Sequence, residues 1–243
     1  MKYSFASLQE NIITRKFGGT TGPVGVANPY VSGQFFIWFE VLPDNLMAYL
    51  VEPSHNTGFT EIGQVKNVLS AACLSVTPPG GTLNSIEFTG LGGIKWNYPG
   101  NIEYATSVSV KFLEFSKTPI LHIFHSWIKM IRDYRTGISE MLKDDDDGTG
   151  YTKSTFGGTM YYWTTAPDGI NVEYYACYDG VFPTKDPQDL YSGDVETVGR
   201  LDVEQEFKFD YMWHEPWVKA KCVEFAKKFT TARDTVNTNY NYI

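Results

Sequence analysis

The most informative part of the chain is residues 178–213, YDGVFPTKDPQDLYSGDVETVGRLDVEQEFKFDYMW. From residue 201 onward it alternates between two kinds of side chain. The apolar ones are Leu201, Val203, Phe207, Phe209, Tyr211 and Trp213, and the charged ones are Asp202, Glu204, Glu206, Lys208 and Asp210. This period of two predicts a β-strand with one face on a core. At about 3.3 Å per residue the predicted strand is roughly 43 Å long, so we expect it to lie beside other long strands or another molecule.

A turn with glycine and proline precedes this strand, and the two together resemble the C-terminal half of the tail tube proteins of contractile-tailed bacteriophages. The residues that carry the resemblance are Tyr178, Gly180, Phe182, Pro183, Thr184 and Asp202 through Trp213. Three upstream features follow the order of the family: an aromatic strand (Phe35 to Leu42), a strand running into Pro78-Pro79 and a long loop, and a helix carrying Trp127. The resemblance covers residues 28 to 215.

The resemblance implies a mainly β fold with a packed α-helix: an antiparallel β-sandwich or partial barrel that oligomerises into a larger ring barrel. It implies hexameric rings that stack into a tube, through which DNA reaches the host without specific binding. The implied partners are other copies of the chain and, in addition, the tail sheath, the baseplate and the tape-measure protein. It further implies no enzymatic step, no cofactor and no membrane insertion, with assembly in the host cytoplasm and residence in the virion tail.

Two groups of residues are candidates for this role. Unpaired strand edges are satisfied when identical neighbours pair with them, and the loop after Pro78 is more apolar than a free loop should be. The predicted subunit and ring-stacking contacts are Leu83, Ile86, Phe88, Leu91, Ile94, Trp96 and Tyr98. Because carboxylates repel DNA phosphates, the candidate lumen lining is Asp202, Glu204, Glu206 and Asp210. The alternatives are a loop folded over its own core and an acidic face turned outward toward a sheath.

Composition narrows the function classes. The net charge of −8 and the pI near 5.0 argue against a protein that grips nucleic acid by its phosphates. The sequence shows neither an apolar run near the roughly 20 residues that span a bilayer nor the apolar segment of a signal peptide, so we expect cytoplasmic synthesis. Cys73, Cys177 and Cys222 have no CxxC spacing, which predicts reduced core residues.

Periodicity and turn signals predict the remaining elements and three regions. The regions are an N-terminal arm (1–27), the β domain (28–215) and a C-terminal helix and tail (216–243). The predicted strands are Phe35–Leu42, Val68–Val76, Tyr104–Phe112 and a hairpin of Met160–Thr164 with Ile170–Tyr178. The predicted helices are Pro119–Tyr134, with one apolar stripe, and a second that begins at Pro216.

Motifs for other chemistry are weak. The acidic run Asp144–Asp147 fails the EF-hand template, so a hydrated loop is favoured over a weak cation site. His122 and His125 are three residues apart but lack the HExxH pattern, which favours structural histidines over metal ligands. The glycines of Gly90–Gly93 lack the GK[ST] ending of a phosphate loop. No GxSxG elbow or similar catalytic cue is found, which predicts a protein that is not an enzyme.

Two other functions remain open at this stage. A tube-initiator or baseplate protein would share the fold and differ in copy number. A carbohydrate-binding β-sandwich module would use the abundant tyrosines and tryptophans as a stacking platform, although aromatic side chains more often fill cores and interfaces.

Overall fold

The computed structural model describes residues 34–55, 57–90, 93–137, 156–167, 171–191 and 201–239, without the side chains of residues 189, 191 and 229–239. The strands are β1 (Phe35–Val41), β2 (Cys73–Thr77), β3 (Gly81–Thr89), β4 (Lys95–Tyr104), β5 (Ser107–Leu113), β6 (Gly158–Thr165), β7 (Val172–Pro183), β8 (Asp202–Lys208) and β9 (Tyr211–Trp213). The α-helices are α1 (Asp44–Val51), α2 (Ile62–Ala72), α3 (Pro119–Ile131) and α4 (Pro216–Asn239). The predicted N-terminal arm and the acidic run lie outside the described residues.

Most of the strands form one antiparallel sheet of seven. Its order is β1-β6-β7-β8-β5-β2, and β9 pairs with another part of β7. β3 and β4 form a separate two-stranded sheet. Because the large sheet ends at β1 and β2 without closing, the fold is the mainly antiparallel sandwich or partial barrel with packed helices that the sequence predicted.

The sheet curls around a core that α1, α2 and α3 cover. Phe39 from β1, Phe112 from β5 and Phe207 from β8 are all fully buried in this core. Trp127 from α3 is buried beside them, and its Nε1–H donates a 2.8 Å hydrogen bond to the backbone oxygen of Phe156. Burial of these large rings in one cluster is the main favourable term in the stability of the fold.

Helix α3 confirms the predicted amphipathic helix and its start at Pro119. It ends at Ile131, three residues before the predicted end. The carboxylate of Glu114 accepts hydrogen bonds from the backbone N–H groups of Ile120 (3.1 Å) and Leu121 (3.0 Å). A negative charge at this end satisfies orphan donors and favours the helix dipole.

Helix α4 covers the outer side of β6 and β7, opposite the main core. Its start at Pro216 is as predicted. The buried residues of this second cluster are Tyr161, Trp163, Val172 and Cys177 from the sheet and Val218, Cys222, Phe225 and Ala226 from the helix. The sheet is therefore apolar on both faces where α4 crosses it.

The predicted hairpin of Met160–Thr164 with Ile170–Tyr178 is formed by β6 and β7, and each of these strands is longer than predicted.

The prediction of one 13-residue strand after residue 200 is wrong. β8 ends at Lys208, and β9 begins at Tyr211 beside a different neighbour, β7. At the bend, the backbone N–H of Phe209 donates to the oxygen of Thr106 (3.2 Å) and that of Asp210 donates to the oxygen of Asp179 (2.9 Å). Alternation within one segment sets side-chain direction only, whereas hydrogen-bond partners decide where a strand stops.

The predicted strand from Val68 to Val76 is also wrong in its first half. Residues up to Ala72 belong to α2, and only the part from Cys73 is strand. The buried residues Val65, Leu69 and Ala72 recur at four- and three-residue spacing, which is the helical period. The next predicted strand begins later than expected, because Tyr104 ends β4 and β5 starts at Ser107.

Candidate assembly surfaces

The segment predicted as a long loop after Pro79 is a β-hairpin made of β3 and β4. Towards its tip the register pairs Ile86 with Tyr98 and Phe88 with Trp96, so these four side chains share one face, the distal apolar face. The Phe88 and Tyr98 rings meet edge-on with centroids 5.5 Å apart. The opposite face is polar, and Lys95 Nζ lies 2.6 Å from Glu87 Oε1 there.

The hairpin stands clear of the other residues that the structure describes. All residues of β3, and all of β4 except Gly100, are exposed. The apolar side chains Leu83, Ile86, Phe88, Ile94, Trp96, Tyr98, Ile102 and Tyr104 are between 49% and 66% exposed. Six of these are predicted contact residues, whereas the predicted Leu91 lies outside the described residues. Ile102 and Tyr104 were missed, although their alternation with Glu103 would have shown them to be one face of a strand.

The tip of the hairpin depends on Gly90. A Cβ atom at this position would lie 2.3 Å from the ring of Trp96, so only glycine lets the indole lie against the backbone. The Gly90 N–H donates to the oxygen of Ile94 (2.8 Å), and the Gly93 N–H donates back to the oxygen of Gly90 (3.1 Å). Gly90 and Gly93 thus belong to the tip of the hairpin.

Three of the four candidate lumen carboxylates lie on the open face of β8, beside β5 and β2. Asp202 Oδ2 is 3.2 Å from Lys111 Nζ, and Glu204 accepts a 3.0 Å hydrogen bond from the Ser109 hydroxyl. A hydrogen bond from Ser107 is the main cause that lowers the pKa of the Glu206 carboxyl. The Glu206 carboxyl is therefore charged at neutral pH. The three carboxylates share an open polar face, here called the acidic surface, with Lys111 and with Lys208, whose Nζ lies 3.4 Å from Glu206 Oε1.

An open groove of about 580 Å³ runs along this acidic surface at the base of the hairpin. Its lining includes Pro78, Pro79, Ser107, Lys185, Glu204 and Glu206. The fourth candidate, Asp210, does not line this groove. It lies at the bend before β9, where it and Asp179 line a smaller cavity of about 270 Å³.

The two ends of the sheet differ in how their edges are satisfied. At β1, the oxygen of Ile37 accepts a 2.7 Å hydrogen bond from the Ser70 hydroxyl, and the oxygen of Glu40 accepts one from Lys66 Nζ. Side chains of α2 therefore cap part of this edge. At the other end, β2 pairs with β5 alone among the residues that the structure describes.

A second exposed aromatic surface, which the sequence analysis did not single out, lies where β9 leads into α4. Tyr211 and Trp213 have ring centroids 5.9 Å apart, and Trp213 and Trp217 are 6.5 Å apart. The three side chains, here called the aromatic row, are 40% to 61% exposed. Tyr211 and Trp213 were noticed in the sequence as the aromatic end of the alternating segment, but the alternation assigned them to the buried face of a strand.

The side chain of His125 makes structural contacts. His125 Nδ1 lies 2.8 Å from Asp186 Oδ2 and 2.9 Å from Gln188 Nε2, which links α3 to the short helix Pro187–Tyr191. Within the described ranges, no group of three or more His, Cys, Asp and Glu side chains is arranged to hold a metal ion. No helix in the same ranges is both long and apolar enough to cross a membrane.

Comparison with known proteins gives similarities to solved structures only. No protein-family model matches the chain, and no curated protein matches it. A chain of the sheath/tube terminator of an extracellular contractile injection system (PVC) has 15% identity and a TM-score of 0.43, with 76% of this chain and 96% of that chain covered. A chain of the anti-feeding prophage tube terminating cap has 14% identity and a TM-score of 0.44, with coverage of 81% and 97%. A chain of the anti-feeding prophage baseplate has 10% identity and a TM-score of 0.43, with coverage of 76% and 95%. With TM-scores below 0.5, these similarities do not establish a shared fold.

Proposed function

We propose that this chain is a structural subunit of a contractile-tail tube, and that its copies join into hexameric rings that stack into a conduit for DNA ejection. The exposed β3–β4 hairpin is the observation that carries the proposal. The subunit has no catalytic step. It works with the sheath, baseplate and tape-measure proteins in the virion tail, after assembly in the host cytoplasm.

The hairpin needs a partner for physical reasons. A two-stranded hairpin without packing is at best marginally stable in water. If each of its eight exposed apolar side chains offers about half of the roughly 200 Å² that a large side chain buries, the hairpin presents about 800 Å². The total matches one side of a standard protein interface. It is divided between the two faces of the hairpin, because the register shift between Leu83 and Ser85 puts Leu83 and Ile102 on the face opposite Ile86 and Tyr98. Packing on a second copy of the chain removes this surface from water.

The acidic surface fits the lumen of such a tube. Asp202, Glu204 and Glu206 lie together on an open sheet face, so their charges act on the same neighbour. Carboxylates repel the phosphates of passing DNA, whereas unpaired lysines on the wall would bind them and slow the passage. The lysines of this face, Lys111 and Lys208, lie 3.2 Å from Asp202 and 3.4 Å from Glu206, so their charges are balanced by these carboxylates. Asp210 belongs to a separate cavity, and we propose that it stands at the margin of the lumen.

The hairpin proposal is tested by comparing three proteins by electron microscopy and light scattering. The wild type should form rings or filaments. The double variant Phe88→Ser with Trp96→Ser should remain monomeric, while its urea unfolding of the main core stays unchanged. The control Tyr134→Ser replaces an exposed aromatic residue away from the hairpin and should assemble as the wild type does. Assembly of the hairpin variant at wild-type concentration would reject the proposal, and so would a wild type that stays monomeric.

The same images separate the two related functions. Single rings that do not elongate identify a tube initiator or baseplate component, because that function needs the same ring and a lower copy number. The aromatic row favours a carbohydrate-binding module as the candidate from another class, since exposed tryptophans stack on sugar rings. Monomers that bind glycans on an array and never form rings would select that function.

A further inference from the structure

Among the described residues, large exposed apolar side chains collect at two places, the hairpin and the aromatic row. The others are scattered: Phe35 and Val41 at the two ends of β1, Ile62 in α2, Phe115 after β5 and Tyr134 after α3. Scattered apolar residues are normal on a protein surface, but clusters mark interaction sites. The proposed tube explains the hairpin and leaves the aromatic row without a role.

The aromatic row is built by β9 and the first turn of α4. β9 pairs with β7 by Tyr211 opposite Asp179 and Trp213 opposite Cys177, and within the described ranges its other edge faces no strand. Helix α4 buries Val218 against the sheet, and this orientation leaves the neighbouring Trp217 exposed beside Trp213. The row thus combines three exposed rings with an open strand edge.

The hairpin of the same subunit does not cover this row. Its base is close to the bend before β9, since the Phe209 N–H donates to the oxygen of Thr106. Its nine-residue strand β3 extends about 30 Å at the usual rise per residue, and every residue along it is exposed. The distal apolar face is therefore carried away from its own aromatic row and is free to meet a row on another molecule.

The two surfaces match in size and in kind. At about 100 Å² for each half-exposed large side chain, the four residues of the distal apolar face present about 400 Å² and the three of the aromatic row about 300 Å². Both surfaces also border open strand edges, which are able to pair by strand addition. Two unlike surfaces on one chain produce a head-to-tail contact, and such contacts generate rings or filaments.

We infer that the aromatic row is the acceptor for the distal apolar face of the hairpin of a second copy of this chain. The inference rests on the proposed function and deepens it by naming both halves of the subunit contact. Tyr211, Trp213 and Trp217 receive Ile86, Phe88, Trp96 and Tyr98 of the next copy. The open edge of β9 lies beside the incoming hairpin.

A complementation experiment tests the inference. The hairpin variant (Phe88→Ser with Trp96→Ser) keeps its aromatic row, and the row variant (Trp213→Ser with Trp217→Ser) keeps its hairpin. Each variant alone should be monomeric. Mixed in equal amounts, they should form one-to-one pairs with twice the 27.5 kDa mass of one chain. Larger oligomers should not form, because each pair has only one intact hairpin and one intact aromatic row, and these two bind each other. Light scattering after size exclusion measures both results.

Two controls keep the outcomes interpretable. Urea unfolding establishes whether both variants fold. If the double row variant does not fold, the single change Trp217→Ser, at an exposed helix position, replaces it. Tyr134→Ser should assemble as the wild type does. If the row variants assemble normally, the inference is wrong and the proposed function stands. Folded variants that stay monomeric when mixed also reject the inference. A wild type that never assembles rejects the proposed function itself.

Discussion

Phe39 in β1 lies against Phe207 in β8, with ring centroids 5.8 Å apart, although two strands stand between them in the sheet. On a flat sheet, a strand spacing of about 4.8 Å would separate the two strands by about 14 Å. The contact therefore shows that the sheet curls over on itself, which makes it a sandwich or partial barrel. Phe207 also contacts Phe112, Phe124 and Trp127, so it is the aromatic centre of the core.

Replacing Phe207 by alanine should lower the free energy of unfolding by about 3–5 kcal/mol, because the change opens a cavity among four aromatic rings. Urea denaturation followed by circular dichroism measures this. The control Tyr134→Ala removes an exposed ring and should change the free energy by less than about 0.5 kcal/mol. A loss below about 1 kcal/mol at Phe207 would mean that the ring is not central to the core.

Two glycine-to-alanine changes should act in opposite directions. In Gly158→Ala the new Cβ would lie 2.6 Å from the backbone oxygen of Val41, so the β1–β6 pairing must shift, at a cost of about 1–3 kcal/mol. In Gly63→Ala the Cβ meets nothing within 4 Å and replaces a flexible residue in α2, which should stabilise by about 0.5 kcal/mol. Urea midpoints of the two variants test the signs, and equal signs would contradict the packing described for β6.

The buried thiols should be unreactive until the chain unfolds. Burial raises the pKa of Cys177 and of Cys222 from 9.0 to about 12. Since the thiolate is the reactive form, modification by Ellman's reagent at pH 8 should be about a thousandfold slower than in urea. A variant with an exposed thiol, Tyr134→Cys, serves as the fast control. Rapid native labelling of Cys177 and Cys222 would show that α4 does not seal the second cluster.

The same pKa shifts predict a loss of stability at high pH. Between pH 9 and pH 12 the unfolded chain releases thiol protons that the folded chain keeps, so the folded state binds more protons and the free energy of unfolding falls as pH rises. Urea midpoints at pH 8 and pH 10.5 measure the fall. The fall should be smaller in Cys222→Ala than in wild type, relative to each protein's own midpoint at pH 8. An identical fall in both would show that other groups cause it.

Charge reversal on the acidic surface should create DNA binding without blocking assembly. Glu204→Lys with Glu206→Lys places two new cations near Lys208 and Lys185. The affinity for DNA should then fall steeply between 50 and 200 mM salt, because the logarithm of the binding constant falls by ~0.9 per phosphate contact for each tenfold rise in salt concentration. The control pair Glu61→Lys with Glu173→Lys changes net charge equally at exposed positions elsewhere. Tubes of the first variant that deliver DNA normally would remove this surface from the lumen.

Deleting residues 215–243 should destabilise the whole fold. Phe225 contacts the rings of Trp38, Tyr161 and Trp163, and the deletion exposes this apolar surface to water. We therefore expect a lower urea midpoint and aggregation. Phe225→Ala is the matched point variant and should cost about 3 kcal/mol. A truncated protein that folds and assembles as the full chain does would contradict the role of α4 in the core.

Much of the fold was predictable where a local period governs a whole element. The three- and four-residue spacing of Ile120, Ile123 and Phe124 identified α3, and a proline at the first helical position marked the starts of α3 and α4. The exposed apolar residues of β3 and β4 were predicted as contacts from their number alone, although their hairpin was not. At Val68 and Ala72 the pattern was read with the wrong period, because short apolar runs fit both helix and strand.

Which side chains alternate, where α3 and α4 begin and what net charge the chain carries could be read from the sequence alone, because these features depend on composition or on residues close together along the chain. The folded chain alone shows that the alternating segment bends at Asp210, that Phe39 meets Phe207, and that Tyr211, Trp213 and Trp217 stay exposed. The physical reason is that a strand is completed by neighbours distant in sequence, whose hydrogen bonds and side chains determine its end, its curl and its buried face.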